Sequence, residues 1–335
     1  MKKIRVLYLV LFFIGTSGFA QEEVKTVVAK KGDGIYTLLK NFGMSPSEYY
    51  SDFIALNEGN LRNGKHLYEG KTYKIPKEIS ELVTKEHPTT TVNGYPIFGK
   101  KYATVEKKSS KLEGAVYYLI SGHGGPDPGA TTNYGKKLIS EDEYAYDITL
   151  RLGKELISHG ALVYIIIRDD NDGIRDTRIL PIDYDEVCYP NKPIPLSQLA
   201  RLKQRVDAVN DLYVQNKGMY QRLLVTHIDS RSVGQNIDVF FYHHEKSTNG
   251  KRLAESIHKM FHAKYKKYQP SRDYTGTFLD RSGLYLVKNT MPAMAYVEIG
   301  NIQNKKDQKR ILVPENRQAL AKWISEGVLL DFENK

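Results

Sequence analysis

The chain reads as an α/β protein: a mostly parallel twisted sheet covered by helices on both faces, preceded by a small βααβ unit. Three observations carry this reading. From residue 113 onward, continuous apolar runs such as 161–168 (ALVYIIIR) and 222–228 (RLLVTHI) alternate with long amphipathic stretches, the pattern of buried parallel strands and crossover helices. Residues 25–77 carry their own turn and helix-start signals within about fifty residues, the size of a separate small unit. Cys188 is the only cysteine, so no intramolecular disulfide is available and a packed core must hold the fold, which a chain of 335 residues is long enough to build.

The first twenty residues, MKKIRVLYLVLFFIGTSGFA, have a basic start (Lys2, Lys3, Arg5), an apolar stretch from Val6 to Ile14 and a small-residue end at Ala20. That is the layout of a secretory signal peptide, with an apolar stretch too short to span a bilayer. No cysteine follows to take a lipid. The expectation is an exported protein of the periplasm or cell envelope with no membrane span in the mature chain. The formal charge is +10, and removing the leader with its three cations leaves +7. The basic residues are scattered without an aromatic-interleaved motif, which argues against nucleic acid and for a polyanionic envelope polymer.

In the small unit, Thr26 to Ala29 reads as a strand and Gly32-Asp33-Gly34 as a turn. Ile35, Leu38, Leu39 and Phe42 follow at helical spacing. Ser45-Pro46-Ser47-Glu48 opens a second helix with Ser45 as N-cap, and Thr72-Tyr73-Lys74-Ile75 closes as a strand. Residues 78–112 are polar, with a Thr run and scattered Pro and Gly, and read as a linker with a short strand near Tyr95-Pro96-Ile97-Phe98. The large domain spans 113–331. Its strands are expected at 115–120, 161–168, 222–228, 236–243, 283–287 and 293–299, and its helices at 141–158, 197–215, 249–268 and 315–330.

In such sheets ligands collect at the carboxyl ends of the strands. His123, hemmed in by glycines just past the first strand, His227 at the end of Leu223-Leu224-Val225-Thr226, and Glu298 at the end of Ala293–Val297 all fall there. A carboxylate on a buried strand is costly without a cation or a proton-transfer task. Each residue alone has a structural explanation; three on one sheet edge point to a site. Glu141 is a fourth candidate at a helix start, where the helix dipole favours any acid, and spacing does not choose among Glu141, Asp142 and Glu143. His258 and His262 have the spacing of a zincin pair, but Lys259 stands where that motif needs Glu. His243 and His244 point to opposite faces, so at most one lines a site. The connection 171–196 is long for a strand-to-helix link and is expected to border the cleft as groove or lid.

The ordered set of motifs over residues 115–331 resembles the zinc-dependent N-acetylmuramoyl-L-alanine amidases. Gly122-His123-Gly124-Gly125-Pro126-Asp127-Pro128-Gly129-Ala130 resembles that family's first-ligand loop, and Glu141 stands where its ligand glutamate precedes a helix. Arg168-Asp169-Asp170 ends a strand as in the family, and Leu202, Arg205, Val209 and Asn210 follow its helix pattern. Thr226-His227-Ile228-Asp229 resembles the third-ligand stretch, and Val297-Glu298-Ile299-Gly300-Asn301 with Asp307 the closing motif. The resemblance implies Zn2+ on His123, Glu141 and His227, Glu298 as the catalytic acid–base, and Asp229 and Asn301 at the substrate. It implies cleavage of the amide between the lactyl group of muramic acid and L-Ala in peptidoglycan. Departures are Ile120-Ser121 for the usual Asp-Pro, Asp229 for Asn and Asn301 for Phe. A silent wall-binding protein on the same fold and a zinc peptidase of stem peptides are the alternatives. Residues 25–77 are similar to the LysM module, a glycan-binding βααβ domain, with Gly34 where that family has Thr or Ser.

Overall fold

A computed structural model describes residues 25–42, 44, 46–76, 91–92, 94–229, 238–271, 274 and 276–335. The leader reading, the Ser45 cap and most of the linker's Thr run lie outside the described residues. Among the described residues no helix is long and apolar enough to cross a membrane.

The large domain is built on a six-stranded sheet in the order Phe278–Asp280, Phe240–His243, Ala293–Asn301, Tyr220–Asp229, Ala115–Ser121, Leu162–Ile165. The last four run parallel, and Phe240–His243 pairs antiparallel to Ala293–Asn301. The sheet is therefore mixed but mostly parallel. Alternation along the Ala115–Ser121 strand divides the core. Tyr117 and Leu119 point to a face covered by the helices Glu141–Ser158, Thr248–Tyr268 and Pro314–Glu333. Val116, Tyr118 and Ile120 point to a face covered by Gln198–Gln215 and the short helix Tyr285–Asn289. With both faces covered, the strands need no polar side, which is why they read as unbroken apolar runs.

The four long helices lie where their periodicity predicts. The differences fall in short elements. The expected strand at 283–287 is the helix Tyr285–Asn289, which packs Leu286 and Val287 against the core. A five-residue apolar run does not distinguish strand from helix by period. The sheet edge is instead Phe278–Asp280. The run 161–168 divides: Leu162–Ile165 stays in the sheet, while Ile167–Arg168 turns away to pair with Val187–Cys188 of the long connection. Residues 96–98 form a 3-10 turn with Pro96 leading, not a strand. Phe98, Val105 and Leu112 are buried in the main core, so residues 94–112 belong to the large domain, not to a linker.

The small unit has the expected order: strand Thr26–Val28, helices Ile35–Asn41 and Pro46–Leu56, strand Thr72–Lys74, with the two strands antiparallel. Ile35, Leu38, Leu39, Phe53, Tyr73 and Ile75 form its core. It rests on the helix Gln198–Gln215. Tyr50 donates to Gln215 Oε1 at 2.6 Å, and Lys65 pairs with Asp211 at 2.6 Å. A Cβ on Gly34 would lie 2.7 Å from the Gln215 carbonyl oxygen, so the absent side chain permits this approach.

One buried ionic network ties the layers together. Asp147 and Arg317 are both fully buried. Asp147 Oδ2 accepts from Arg317 Nε at 2.6 Å and Arg151 Nε at 2.7 Å, while Oδ1 accepts the Arg175 amide at 2.7 Å. Arg317 also donates to the carbonyls of Leu312, Arg175 and Thr177. Two helices and the start of the long connection therefore meet on one carboxylate. Removing one partner strands a buried charge, so Asp147→Ala should lower folding stability by about 3–5 kcal/mol in denaturant titrations.

Candidate active site

His123, His227 and Glu298 come together because three adjacent parallel strands end at one edge. Thr226 lies opposite Ser121 and His227 opposite Glu298 in register. The ladder shifts between His227 and Asp229, opening the sheet where the cleft begins. Glu141 arrives from the other direction. The hairpin of Thr131–Tyr134 and Lys137–Ser140 folds the chain back after the His123 loop and delivers the start of the helix Glu141–Ser158 against the strand ends.

Glu141 is the hub. Its Oε2 lies 3.2 Å from His123 Nε2 and accepts the Ala130 amide at 3.1 Å. Its Oε1 lies 2.8 Å from His227 Nδ1 and accepts the Ile228 amide at 3.0 Å. One ligand-type atom from each of His123, Glu141 and His227 falls within 4.8 Å of the others. Two imidazoles and a carboxylate so gathered are a donor set that can hold a metal ion and leave a coordination position open. The other nitrogen of His123, Nδ1, lies 3.0 Å from Asp127 Oδ2, which also accepts from Arg201 at 2.7 Å. A carboxylate on the far nitrogen fixes ring orientation, the usual arrangement behind a metal-binding histidine.

The glycines around His123 have specific work. His123 itself has a left-handed backbone, φ 62°, with its carbonyl held by Arg205 Nη2 at 2.6 Å. A Cβ at Gly122 would collide with the His227 ring. A Cβ at Gly129 would lie 2.7 Å from His123 Cδ2 and 2.8 Å from Glu141 Oε2. Only backbone fits between these side chains.

The electrostatics follow from the geometry. Burial works against the charge on His123, but Asp127 and Glu141 outweigh it and push its pKa up to about 10. Burial would likewise raise Glu141, but the two histidines outweigh it and hold the carboxyl well below its ordinary range. Burial lowers His227, which is therefore neutral at pH 7.

These residues line a cavity of about 350 Å³ with Glu298, the cations Arg201 and Arg205, and an apolar flank of Leu202, Leu284, Tyr285 and Leu286. Tyr296 stacks on the His227 ring at 4.7 Å. The short helix Tyr285–Asn289, read as a strand from sequence, thus supplies one cleft wall. Its apolar residues gave no functional signal in the chain because they are ordinary core types.

Asn301 is fully buried, does not line the cavity, and its Oδ1 accepts the Gln303 amide at 2.9 Å. This bond ties its side chain to the turn after the strand. Asp229 ends its strand opposite Asn301. His243 and His244 both lie away from this cavity, and His258 bonds the Gly276 carbonyl within an aromatic cluster. The connection 171–196 does not line the cavity either. It packs behind the His123 loop, where Glu186 accepts the Gly125 amide at 2.6 Å, and Ile194 leaves no room for a Cβ on Gly125. It is a buttress to the loop. Burial pushes Glu186 up to about 8 and Asp142 up to about 7.

The fold and site define a class: an α/β protein with a His-Glu-His group and a second glutamate at the carboxyl edge of a parallel sheet. The sequence profile of the N-acetylmuramoyl-L-alanine amidase family matches residues 118–329, and the chain belongs to that family. It is 27% identical over 232 residues to the germination-specific N-acetylmuramoyl-L-alanine amidase of Bacillus subtilis, covering 68% of this chain and 84% of that protein. Among solved structures, the CwlD amidase of Clostridioides difficile, in complex with the GerS lipoprotein, is 18% identical with a TM-score of 0.49, covering 66% and 99% of the two chains. The catalytic domain of the CwlV amidase from Bacillus (Paenibacillus) polymyxa var. colistinus is 18% identical with a TM-score of 0.47, again covering 66% and 99%. The family assignment rests on the sequence match, not on these weaker likenesses of shape.

Gly129→Ala should part His123 from Glu141 while sparing the sheet. The expected result is a loss of about tenfold or more in affinity for a divalent metal, read by chelator competition, with unchanged far-ultraviolet circular dichroism.

Proposed function

We propose that the protein is an exported, zinc-dependent peptidoglycan hydrolase that cleaves the amide between the muramic acid lactyl group and L-Ala. His123, Glu141 and His227 hold the zinc, and Glu298 is the general base and then acid. The observation that carries this reading is the convergence of two imidazoles on one buried carboxylate beside a strand-borne glutamate, within a chain of the amidase family. Zinc in this donor set supplies a Lewis acid that polarises a carbonyl and makes water acidic enough to be deprotonated near neutral pH.

The chain's own residues do the rest. Asp127 and Arg205 hold the His123 loop by its ring and its carbonyl, and Glu141 spaces the two histidines. Glu298 takes a proton from the attacking water as the new C–O bond forms, then delivers it to the leaving nitrogen as the C–N bond breaks. The products are a lactyl carboxylate on the glycan and a stem peptide with a free L-Ala amine. Leu284, Tyr285 and Leu286 offer an apolar wall to the substrate, and Arg201 and Arg205 supply positive charge near its carboxylates. The amino-terminal unit fits a LysM-like role as a wall-binding module, supported by its βααβ order and the motifs in 25–77. The leader-like first twenty residues support export.

Digestion of purified peptidoglycan with mass analysis of the products tests the reaction. Stem peptides with free amino-terminal alanine are expected; trimmed stems left on glycan would identify a peptidase instead. Glu298→Gln should keep one zinc per chain and lose turnover by about 10²-fold or more. If it lost the metal as well, the division between ligand and base would be wrong.

Zinc uptake should also release a proton. His123 is protonated in the metal-free protein up to about pH 10, and His227 and Glu141 carry no competing proton at neutral pH. Protons compete less as pH rises, so zinc affinity should increase by about tenfold per pH unit from pH 6 to 9. Chelator competition across that range measures the slope, and a flat profile would contradict the assignment of His123.

A further inference from the structure

A second cavity, of about 720 Å³, opens at the edge of the main sheet opposite the cleft. The starts of two neighbouring parallel strands, Tyr220–Asp229 and Ala293–Asn301, line it through Arg222 and Met294. Arg222 stands five residues before His227 on the same strand, a separation of about 17 Å for an extended chain. Arg222, Arg252 and Lys288 line this cavity, and no acidic side chain does. We propose that it is a separate binding site for a phosphate-class oxyanion, either free or as the phosphodiester of an envelope polymer.

Positive charge at this edge exceeds what the fold neutralises. Arg222 is only 5% exposed, with its guanidinium at the start of a core strand. Its counter-charge is Asp331, fully buried on the carboxy-terminal helix, whose Oδ2 accepts Arg222 Nε at 3.0 Å. The same carboxylate accepts Arg252 Nε at 2.7 Å and the Tyr220 hydroxyl. One acid therefore serves two guanidinium groups. Arg222 Nη1 donates to the Gln221 carbonyl at 3.0 Å, and its Nη2 has no hydrogen-bond acceptor among the described residues. Lys288, exposed at the rim, has no ion pair among the described residues. A buried guanidinium with a spare donor, sharing its only acid with a second cation, is stabilised by an anion in the cavity. The helix Thr248–Tyr268 also begins at this rim, where Ser247 and Asn249 line the cavity, and its first turn holds no acid. The positive end of its dipole adds to the field of the cations.

The donors select the anion. They come from a strand, a long helix and the short helix Tyr285–Asn289, so they reach the cavity from three elements. A tetrahedral oxyanion offers oxygens in several directions, whereas a planar carboxylate is met best by a single guanidinium fork. Arg222 has one nitrogen to spare and cannot clasp a carboxylate with two. A phosphate held here would fasten the chain to an anionic matrix by the edge opposite its cleft. The site stands independently of the hydrolytic reading.

The test uses the full zinc-loaded chain. Inorganic phosphate, poly(glycerol phosphate) and succinate are titrated separately by calorimetry. Saturable binding of one inorganic phosphate per chain is expected, with succinate weaker. Lys288→Glu, at an exposed position that the fold tolerates, and Arg252→Gln should each weaken phosphate by about tenfold. His227→Ala, which dismantles the proposed zinc group, should leave phosphate binding in place. Binding of phosphate without the polymer assigns the site to a free phosphate compound, and tighter binding of the polymer assigns it to an envelope chain. The proposal is overturned if the wild-type chain binds neither phosphate probe saturably, or if succinate binds as tightly as phosphate. It is equally overturned if both cation variants bind phosphate as the wild type does, or if binding disappears with His227.

Discussion

The site depends on one carboxylate. Glu141 sits between His123 and His227, bonded to the backbone on both sides through Ala130 and Ile228, and is itself almost wholly buried. A buried carboxylate in this position is stable only with positive charge or strong donors around it. That requirement brings His123, from the loop after one strand, and His227, on the next strand, to within reach of each other, and it explains why the spaces between them admit glycine alone. Gly122, Gly129 and the left-handed His123 are consequences of packing two rings around one acid.

Support for this arrangement is layered. Asp127 and Arg205 grip the His123 loop directly, and Glu186 of the long connection holds it from behind. The connection in turn is anchored by Arg175, whose amide bonds Asp147 and whose side chain bonds Glu143. Asp147 lies six residues along the same helix as Glu141 and carries the buried pair with Arg317. A short chain of charge-assisted hydrogen bonds therefore links the carboxy-terminal helix to the cleft, and such bonds are stronger than neutral ones and geometrically specific.

The departures from the family pattern acquire physical meaning unevenly. In the small unit, the absence of a side chain at Gly34 permits close approach to the Gln215 carbonyl. Asn301 forms the turn that follows the strand bearing Glu298, supported by Asp307 on its amide. Ser121 ends its strand opposite Thr226 at the edge of the cavity, with its side chain buried. Nothing in the structure explains Ile120 beyond its place in the core.

Much of the fold was legible in the chain. The four long helices and the central strands announce themselves because their periodicity and length are strong, and burial on both faces leaves unbroken apolar runs. His123, His227 and Glu298 were legible for the same reason: parallel strands that end together bring their last residues to one edge. What the chain by itself could not settle was the choice among Glu141, Asp142 and Glu143, since the first turn of any helix favours acids. Only the tertiary fold decides it. The hairpin before the helix turns Glu141 toward the histidines, whereas Asp142 and Glu143 face Glu186, and Glu143 pairs with Arg175. The same holds for the strand that proved to be the cleft-wall helix Tyr285–Asn289 and for the linker residues that entered the core. Short segments carry too few residues for periodicity to speak, and their conformation is set by the surfaces against which they pack.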